Sequence, residues 1–390
     1  MAVVQLKKGM HHRIASGHPW LYRTEILEVN GQFRPGDVVD VVDFRGKPLG
    51  RGYINPKSQI TVRMLTWREE SVDEAFFRRR IEAALDYRRR VLPGERSYRL
   101  VFGEADFIPG LIVDKFEEYL VIQTLALGID RWKDTVVDIL RDLLSPRGIY
   151  ERNDAPVREL EGLDSRAGFI GEPFNPTIRI EENALSFLVD VEKGQKTGHF
   201  LDQRANRLVV MRLASGRRVL DCFCYTGGFS VHAAAGGALS VEGIDASEWA
   251  AGMARENASL NGVSGRCAFV AGNVFDELRG REHRRERYDM IVLDPPAFAK
   301  SRGALEGAVR GYKEINLRAM KLLNPGGILV TCSCSRHLTE DLLIDVVRDA
   351  SADAGRPVRI VEKRTQASDH PFLVAAPESY YLKCLVLQVM

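Results

Sequence analysis

Between Tyr288 and Ser335 the chain reads YDMIVLDPPAFAKS, then a helical segment, then GGILVTCSCS. The apolar runs Met290 to Leu293 and Ile328 to Val330 are short, β-branched and bounded by turn signals, the pattern of parallel strands buried on both faces. Asp294, Pro295 and Pro296 follow the first run, and Cys332, Ser333 and Cys334 end the second. A carboxylate and thiols should therefore meet at the carboxyl ends of neighbouring strands, where open α/β sheets place their ligands.

The same alternation extends in both directions. Strands are expected near Val219, at Val241 to Ile244 and near Phe269, with helices from Gly228, from Ser247 to Leu260, from Gly311 to Leu323 and from Thr339 to Ala350. Val358 to Val361 and Tyr381 to Gln388 read as two closing strands. The fold class is thus α/β, a doubly wound Rossmann-like sheet over residues 179–390. Ahead of it, residues 1–70 carry glycine-punctuated period-2 patches, as in GDVVDVVDFRGKPLGRGYINPKSQITVRML, which predict a small β-barrel. Residues 71–178 read as a small α+β domain: a helix from Ser71 to Leu92, strands at Arg99 to Phe102, Leu111 to Asp114 and Tyr119 to Thr124, and a helix near Trp132 to Leu144.

The 55 basic and 53 acidic residues leave a net charge of +2, too small to name a partner. Residues 1–68, however, hold 11 lysines and arginines against 5 acidic residues, which suggests a polyanion partner for the N-terminal module. Lys7, Lys8, His11, His12 and Arg13 are its candidates for phosphate contacts, with Trp20 and Tyr22 read as core. The arginine triplets 78–80 and 88–90 are read as a solvated helix face, with an RNA channel as the alternative. The six cysteines show no disulfide framework, and their two C-x-C pairs lack zinc spacing, so no metal is expected. With no signal-like N-terminus and no apolar run of membrane length, the chain reads as cytoplasmic, without a membrane partner.

Asp221 closes the first strand of the Rossmann-like sheet, and Gly227-Gly228 opens a helix where backbone amides can approach a ligand. Asp245 ends the second strand, placed to accept hydrogen bonds from ribose hydroxyls. Together they imply an adenosine-containing cofactor. The G-x-G-x-x-G of nicotinamide sites is absent. Asn273, whose amide oxygen can accept a hydrogen bond, follows the third strand. Cys332 and Cys334 lie two apart on a strand and share a face, so spacing leaves either open as a thiolate nucleophile.

GHPWLYRTEI with GDVVDV resembles a PUA domain, an RNA-binding module. LDCFCYTGGFS and LDPPAFAKS resemble a class I S-adenosylmethionine methyltransferase. With FGEADFIPGLIVDKF, GQKTGHFLDQR, RGYKEIN and the Ser333-Cys334-Ser335 motif, the chain is similar over nearly its whole length to the bacterial 23S rRNA cytosine-C5 methyltransferase family with an N-terminal PUA domain. That resemblance implies S-adenosyl-L-methionine as cofactor, 23S rRNA or a ribosome assembly intermediate as partner, and Cys334 as the nucleophile. It implies Gln195, Thr197, Phe200, Asp202 and Arg204 lining the cofactor site, Asp221, Tyr225, Thr226, Gly227 and Gly228 around the methionine part, Asp245 at the ribose, Asn273 at the adenine amino group in place of the family's acidic residue, and Asp294 facing both cofactor and target base. It also implies methylation of cytosine C5, in which the thiolate first adds to C6. The base that removes the C5 proton stays open between water, Cys332 and a residue of RGYKEIN, and a homodimer is allowed. The rival readings are an rRNA guanine ring-nitrogen methyltransferase, which needs no thiol, and a non-catalytic RNA-binding ribosome-assembly factor.

Overall fold

The computed structural model describes residues 1–298 and 302–390, so Ala299, Lys300 and Ser301 of the LDPPAFAKS motif lie outside the described residues. The chain forms two compact units. One comprises Met1–Ile180, Val189–Leu201 and Ser368–Ser379, the other Glu181–Leu188, Asp202–Ala367 and Tyr380–Met390.

The first unit holds two sheets. Six strands between Val3 and Thr66 form one, around a core that includes Val4, Leu6, Ile14, Leu21, Val39, Val41, Ile54 and Val62. Trp20 and Tyr22 are only partly buried, and Leu21 between them fills the core instead, because alternation puts it on the opposite face. The second sheet has five strands between Tyr98 and Phe169, packed against the helices Glu74–Val91 and Lys133–Leu144. Asp73 caps the first of these helices by accepting from the Phe76 amide at 2.9 Å. Arg88 departs from the expected solvated face. It is wholly buried, pairs with Asp106, and donates to the carbonyls of Arg99 and Asp369 at 2.8 Å each.

The second unit is a seven-stranded sheet. Its strands are β1 (Arg218–Cys222), β2 (Ser240–Asp245), β3 (Cys267–Ala271), β4 (Tyr288–Leu293), β5 (Leu323–Ser333), β6 (Val358–Thr365) and β7 (Lys383–Val389), in the order β3-β2-β1-β4-β5-β7-β6. The first five run parallel, and β7 is antiparallel to both neighbours. Helices α1 (Arg204–Leu213) and α2 (Gly228–Ala235) cover Met290, Val292, Val330 and Cys332 on one face. On the other, α4 (Val274–His283), α5 (Leu305–Leu322) and α6 (Glu340–Ala354) cover Ile291, Leu293, Leu329 and Leu387. The helix α3 (Glu248–Leu260) follows β2, capped by Ser247. The order of strands reverses between β1 and β4, so a crevice opens there at the carboxyl edge. Helix α5 begins six residues before the expected Gly311. Three glycines, at 303, 307 and 311, lower the apparent propensity there, but Ala308 and Tyr312 recur four apart on the buried face.

A buried ionic cluster fixes α1 and α2. Glu182 has no exposed surface, lies 2.7 Å from Arg207 and 3.8 Å from Arg204, and so binds the start of α1 to the strand Thr177–Glu182. His232 of α2 donates from Nδ1 to the Gly228 carbonyl at 2.7 Å and accepts at Nε2 from Asn183 at 3.0 Å, which makes it the neutral tautomer. Replacing Glu182 by Ala strands two buried guanidinium groups without their carboxylate. Unfolding in urea should show a loss of about 3 kcal/mol. A loss below about 1 kcal/mol would mean that the cluster is not what holds these helices.

Candidate active site

Asp221, near the end of β1, has no exposed surface. One carboxylate oxygen accepts from Ser230 Oγ at 2.6 Å, while the other, Oδ1, has no hydrogen-bond partner among the described residues. Burial, reinforced by Asp294 and only partly offset by Ser230, pushes its pKa up to about 7. The loop that follows turns sharply: Phe223, Tyr225 and Gly227 take φ angles of 65°, 48° and 80°. Left-handed backbone at two aromatic residues is costly and persists only where the surroundings impose it. Asp245 helps to impose it, accepting from the Tyr225 amide and, with its other oxygen, from the Ser247 amide, both at 2.9 Å. The buried Thr226 gives its carbonyl to Asn257 at 2.9 Å. Gly227 and Gly228 admit no side chain without displacement, since a Cβ would come within 3.0 Å of Ala254 and 2.7 Å of Arg207. A buried carboxylate oxygen without a donor, beside a glycine turn and an acidic strand end, fits a cofactor that carries an ammonium and a ribose.

Other candidates are already committed to the fold. The Asn273 side-chain oxygen caps α4, accepting from the Phe275 and Asp276 amides at 2.9 and 3.4 Å, so the oxygen offered to an adenine amino group is engaged by the helix. Asp202 accepts from the Tyr381 hydroxyl at 2.5 Å, and Arg204 faces Glu182. Gln195, Thr197 and Phe200 belong to the first unit. There Lys196 lies 4.7 Å over the Phe200 ring, and the buried Thr197 Oγ1 has no partner among the described residues.

At the other side of the crevice the structure separates the two cysteines that spacing left equivalent. Strand β5 ends at Ser333. Cys332, still inside it, is wholly buried opposite Cys384, which together with burial holds its thiol well above the usual range. Cys334 lies past the strand end, partly exposed, its sulfur 4.0 Å from the Pro295 carbonyl and so beside the loop that carries Asp294. Gln203 donates to Asp294 at 2.9 Å and is itself held by Asn206 at 2.6 Å. Below the sulfur, Tyr312 accepts from Ser333 at 3.0 Å and meets Ser335 at 3.3 Å; burial pushes its pKa up to about 12. Lys383, at the start of β7, donates to the carbonyls of Ser335 and Tyr381 at 2.7 and 2.8 Å. The sequence singles out neither Gln203 nor Lys383, although a lysine opening the apolar run KCLVLQV is a visible signal, and it reaches Tyr312 only as one residue of RGYKEIN. Thus Asp221, Asp245, the glycine turn, Asp294 and Cys334 share one edge of one sheet.

In the first unit, Lys8, His11, His12, Arg45 and Lys47 line a cavity of about 500 Å³ with Phe44 at its wall. Arg13 is instead paired with Glu25 at 2.6 Å, and Lys7 donates to the Thr24 carbonyl.

Asp221 should titrate near 7 in a carboxyl-resolved NMR experiment, and Ser230→Ala should move its midpoint higher by removing the hydrogen bond that favours the anion. The folded protein keeps this proton above pH 3.8, where the unfolded chain releases it. The group's contribution to stability is therefore complete below about pH 4 and is lost as pH rises through 7. A wild-type midpoint in the ordinary carboxylate range would contradict the burial argument.

Comparison with known proteins agrees with this geometry. Residues 162–383 match the model of an S-adenosylmethionine-dependent methyltransferase family, and residues 4–67 that of a PUA-like domain. The chain is 41% identical to Ribosomal RNA large subunit methyltransferase I of Klebsiella pneumoniae, covering 99% of this chain and 98% of that one. The protein of the same name from Shewanella denitrificans is 46% identical over 99% of both. Among solved structures, one described as a SAM-dependent methyltransferase from Streptococcus mutans superposes over 100% of both chains with a TM-score of 0.86 at 20% identity, a likeness of fold. The α/β sheet with carboxylates at its carboxyl edge, a PUA-like start and full-length similarity to these proteins place the chain in the family of S-adenosylmethionine-dependent methyltransferases that includes Ribosomal RNA large subunit methyltransferase I.

Proposed function

We propose that this protein forms 5-methylcytosine in 23S rRNA, in the cytoplasm, by covalent catalysis from Cys334. The observation that carries the reading is the position of Cys334, a thiol past the end of β5, beside the Pro295 carbonyl and the Asp294 loop. S-adenosylmethionine, when bound, supplies an electrophilic methyl group. Asp221 would hold its ammonium, and Asp245 with the turn at Tyr225, Thr226, Gly227 and Gly228 would face its ribose and methionine parts. Cytosine C5 is a weak nucleophile. A bond from Cys334 Sγ to C6 shifts the ring electrons to C5; once C5 is methylated, its proton leaves to a base and the returning electrons expel the thiolate. Asp294, oriented by Gln203, faces the base and orients it. Residues 1–70 and 71–178 supply affinity for rRNA, free or in an assembly intermediate, and 179–390 the chemistry; the basic cavity around His11 and His12 supports the first of these roles.

Asp245→Ala removes an acceptor for two ribose hydroxyls and also the anchor of the Tyr225 loop. Calorimetry should show S-adenosylmethionine affinity falling at least about tenfold, since a hydrogen bond to a charged acceptor is worth about 1.5–3 kcal/mol. Unchanged affinity would move the ribose elsewhere.

The decisive experiment is nucleoside mass spectrometry of 23S rRNA with and without the protein, coupled to RNA that carries 5-fluorocytosine at the target. Fluorine cannot leave C5 as a proton does, so the wild type should stall as a covalent adduct. Cys334→Ala should give neither adduct nor product. Cys332→Ala, which only trims the core, should retain both. An adduct that survives in Cys334→Ala would refute the assignment.

A further inference from the structure

A thiol that must act as a thiolate sits here on a sheet edge beside the loop after β4 that carries Asp294, whose negative charge opposes its ionisation. A free cysteine is mostly neutral at pH 7, and burial would raise its pKa further. A compensating positive charge is required close to the sulfur, in the protein itself if the thiolate is to form before substrate arrives.

Among the described residues, Lys383 is a buried cation whose placement meets that requirement. Its side chain is almost wholly buried, at 2% exposure for the residue. It forms no ion pair among the described residues. Its ammonium instead donates to two carbonyls, those of Ser335 at 2.7 Å and Tyr381 at 2.8 Å. In the β5–β7 ladder Lys383 is also the partner of Ser333. The residue it faces across the strands and the residue whose carbonyl it binds are thus the two that flank Cys334. The charged and titratable groups around it are few. Glu340, at the start of α6, is taken up by Lys363 at 2.8 Å and by the Tyr380 hydroxyl at 2.9 Å. Tyr312, on α5, is kept neutral by burial. Cys384, next in the strand, faces Cys332. The remaining group of opposite charge is the Cys334 sulfur.

We propose that Lys383 is a positioning residue that keeps Cys334 ionised, its ammonium serving as the counter-charge of the thiolate while its two carbonyl bonds fix the turn that presents the sulfur. The proposal rests on the reading of Cys334 as the nucleophile. A buried ammonium bound only to carbonyls is poorly stabilised, and burial lowers its pKa to about 8, with Cys334 and Glu340 opposing that fall. Thiolate and ammonium therefore stabilise each other, and each should titrate differently when the other is removed.

The test reads the pair without RNA or turnover. Alkylation of Cys334 by iodoacetamide in the full-length protein is followed across pH by mass spectrometry of its peptide. Lys383→Met, which keeps the length and loses the charge, should raise the midpoint by about one pH unit or more, the effect of losing an opposite charge at close range. Lys383→Arg should keep it near the wild-type value. An unchanged midpoint in Lys383→Met, or an equal rise in Lys383→Arg, overturns the proposal. If Lys383→Met does not fold, ¹³Cε lysine NMR of the wild type against Cys334→Ala gives the reciprocal measurement: the Lys383 midpoint should fall when the thiol is removed, and an identical midpoint overturns the proposal equally. The two readings fail separately. Methylation by Cys334→Ala would dismiss the nucleophile while leaving the ion pair standing, whereas an inactive Cys334→Ala with an unmoved alkylation midpoint would dismiss Lys383 alone.

Discussion

Burial of a parallel sheet on both faces is the constraint from which the site follows. Met290, Val292, Val330 and Cys332 pack under α1 and α2, and Ile291, Leu293, Leu329 and Leu387 under α4, α5 and α6, so neither face can carry chemistry. Polar groups are driven to the strand ends. Asp221, Asp245 and Asp294 all stand within a residue of such an end, and Cys334 stands one residue past it. The reversal of strand order between β1 and β4 then opens the crevice between the glycine turn and the Asp294 loop.

The polar groups at that edge hold the fold and keep acceptors free beside it. Asp245 fixes an aromatic loop with positive φ at Phe223 and Tyr225 through two amides, and each of its oxygens retains a further lone pair. Gln203 spans from the Asn206 side chain to Asp294, so the start of α1 orients the carboxylate of a different strand. Glu182 anchors that helix start by its ion pairs with Arg204 and Arg207. A chain of buried polar contacts thus runs from a peripheral strand to the Asp294 loop. Such a network ties the position of the Asp294 loop to that of α1.

The electrostatics divide the edge in two. Around Asp221 burial dominates, and the carboxyl is held near neutrality until a cation can approach its Oδ1. The serines that flank Cys334 are bound by the Tyr312 hydroxyl and, at the Ser335 carbonyl, by the buried ammonium of Lys383. One side thus presents a carboxyl oxygen without a donor, and the other an ammonium beside a thiol. The sign of the environment, and not only the identity of the residue, separates binding from reactivity.

Much of this was legible in the sequence. Apolar runs of strand length, each closed by Asp or Cys, fixed the sheet, its carboxyl edge and the residues on it, because hydrophobic period and turn chemistry are local properties. Tertiary packing decided the rest. Cys332 and Cys334 are equivalent by spacing, and only the termination of β5 at Ser333 and the pairing of Cys332 with Cys384 bury one and release the other. The Asn273 oxygen could serve a ligand or a helix until α4 began at Val274 and claimed it. Arg88 reads like any arginine on a solvated face, yet Asp106 and two distant carbonyls draw it inside. Lys383 is enclosed because β7 inserts between β5 and β6, which its place in the closing run Tyr381 to Gln388 does not record. In each case the deciding partner lies far away in the chain or depends on where an element stops, and no local pattern records either.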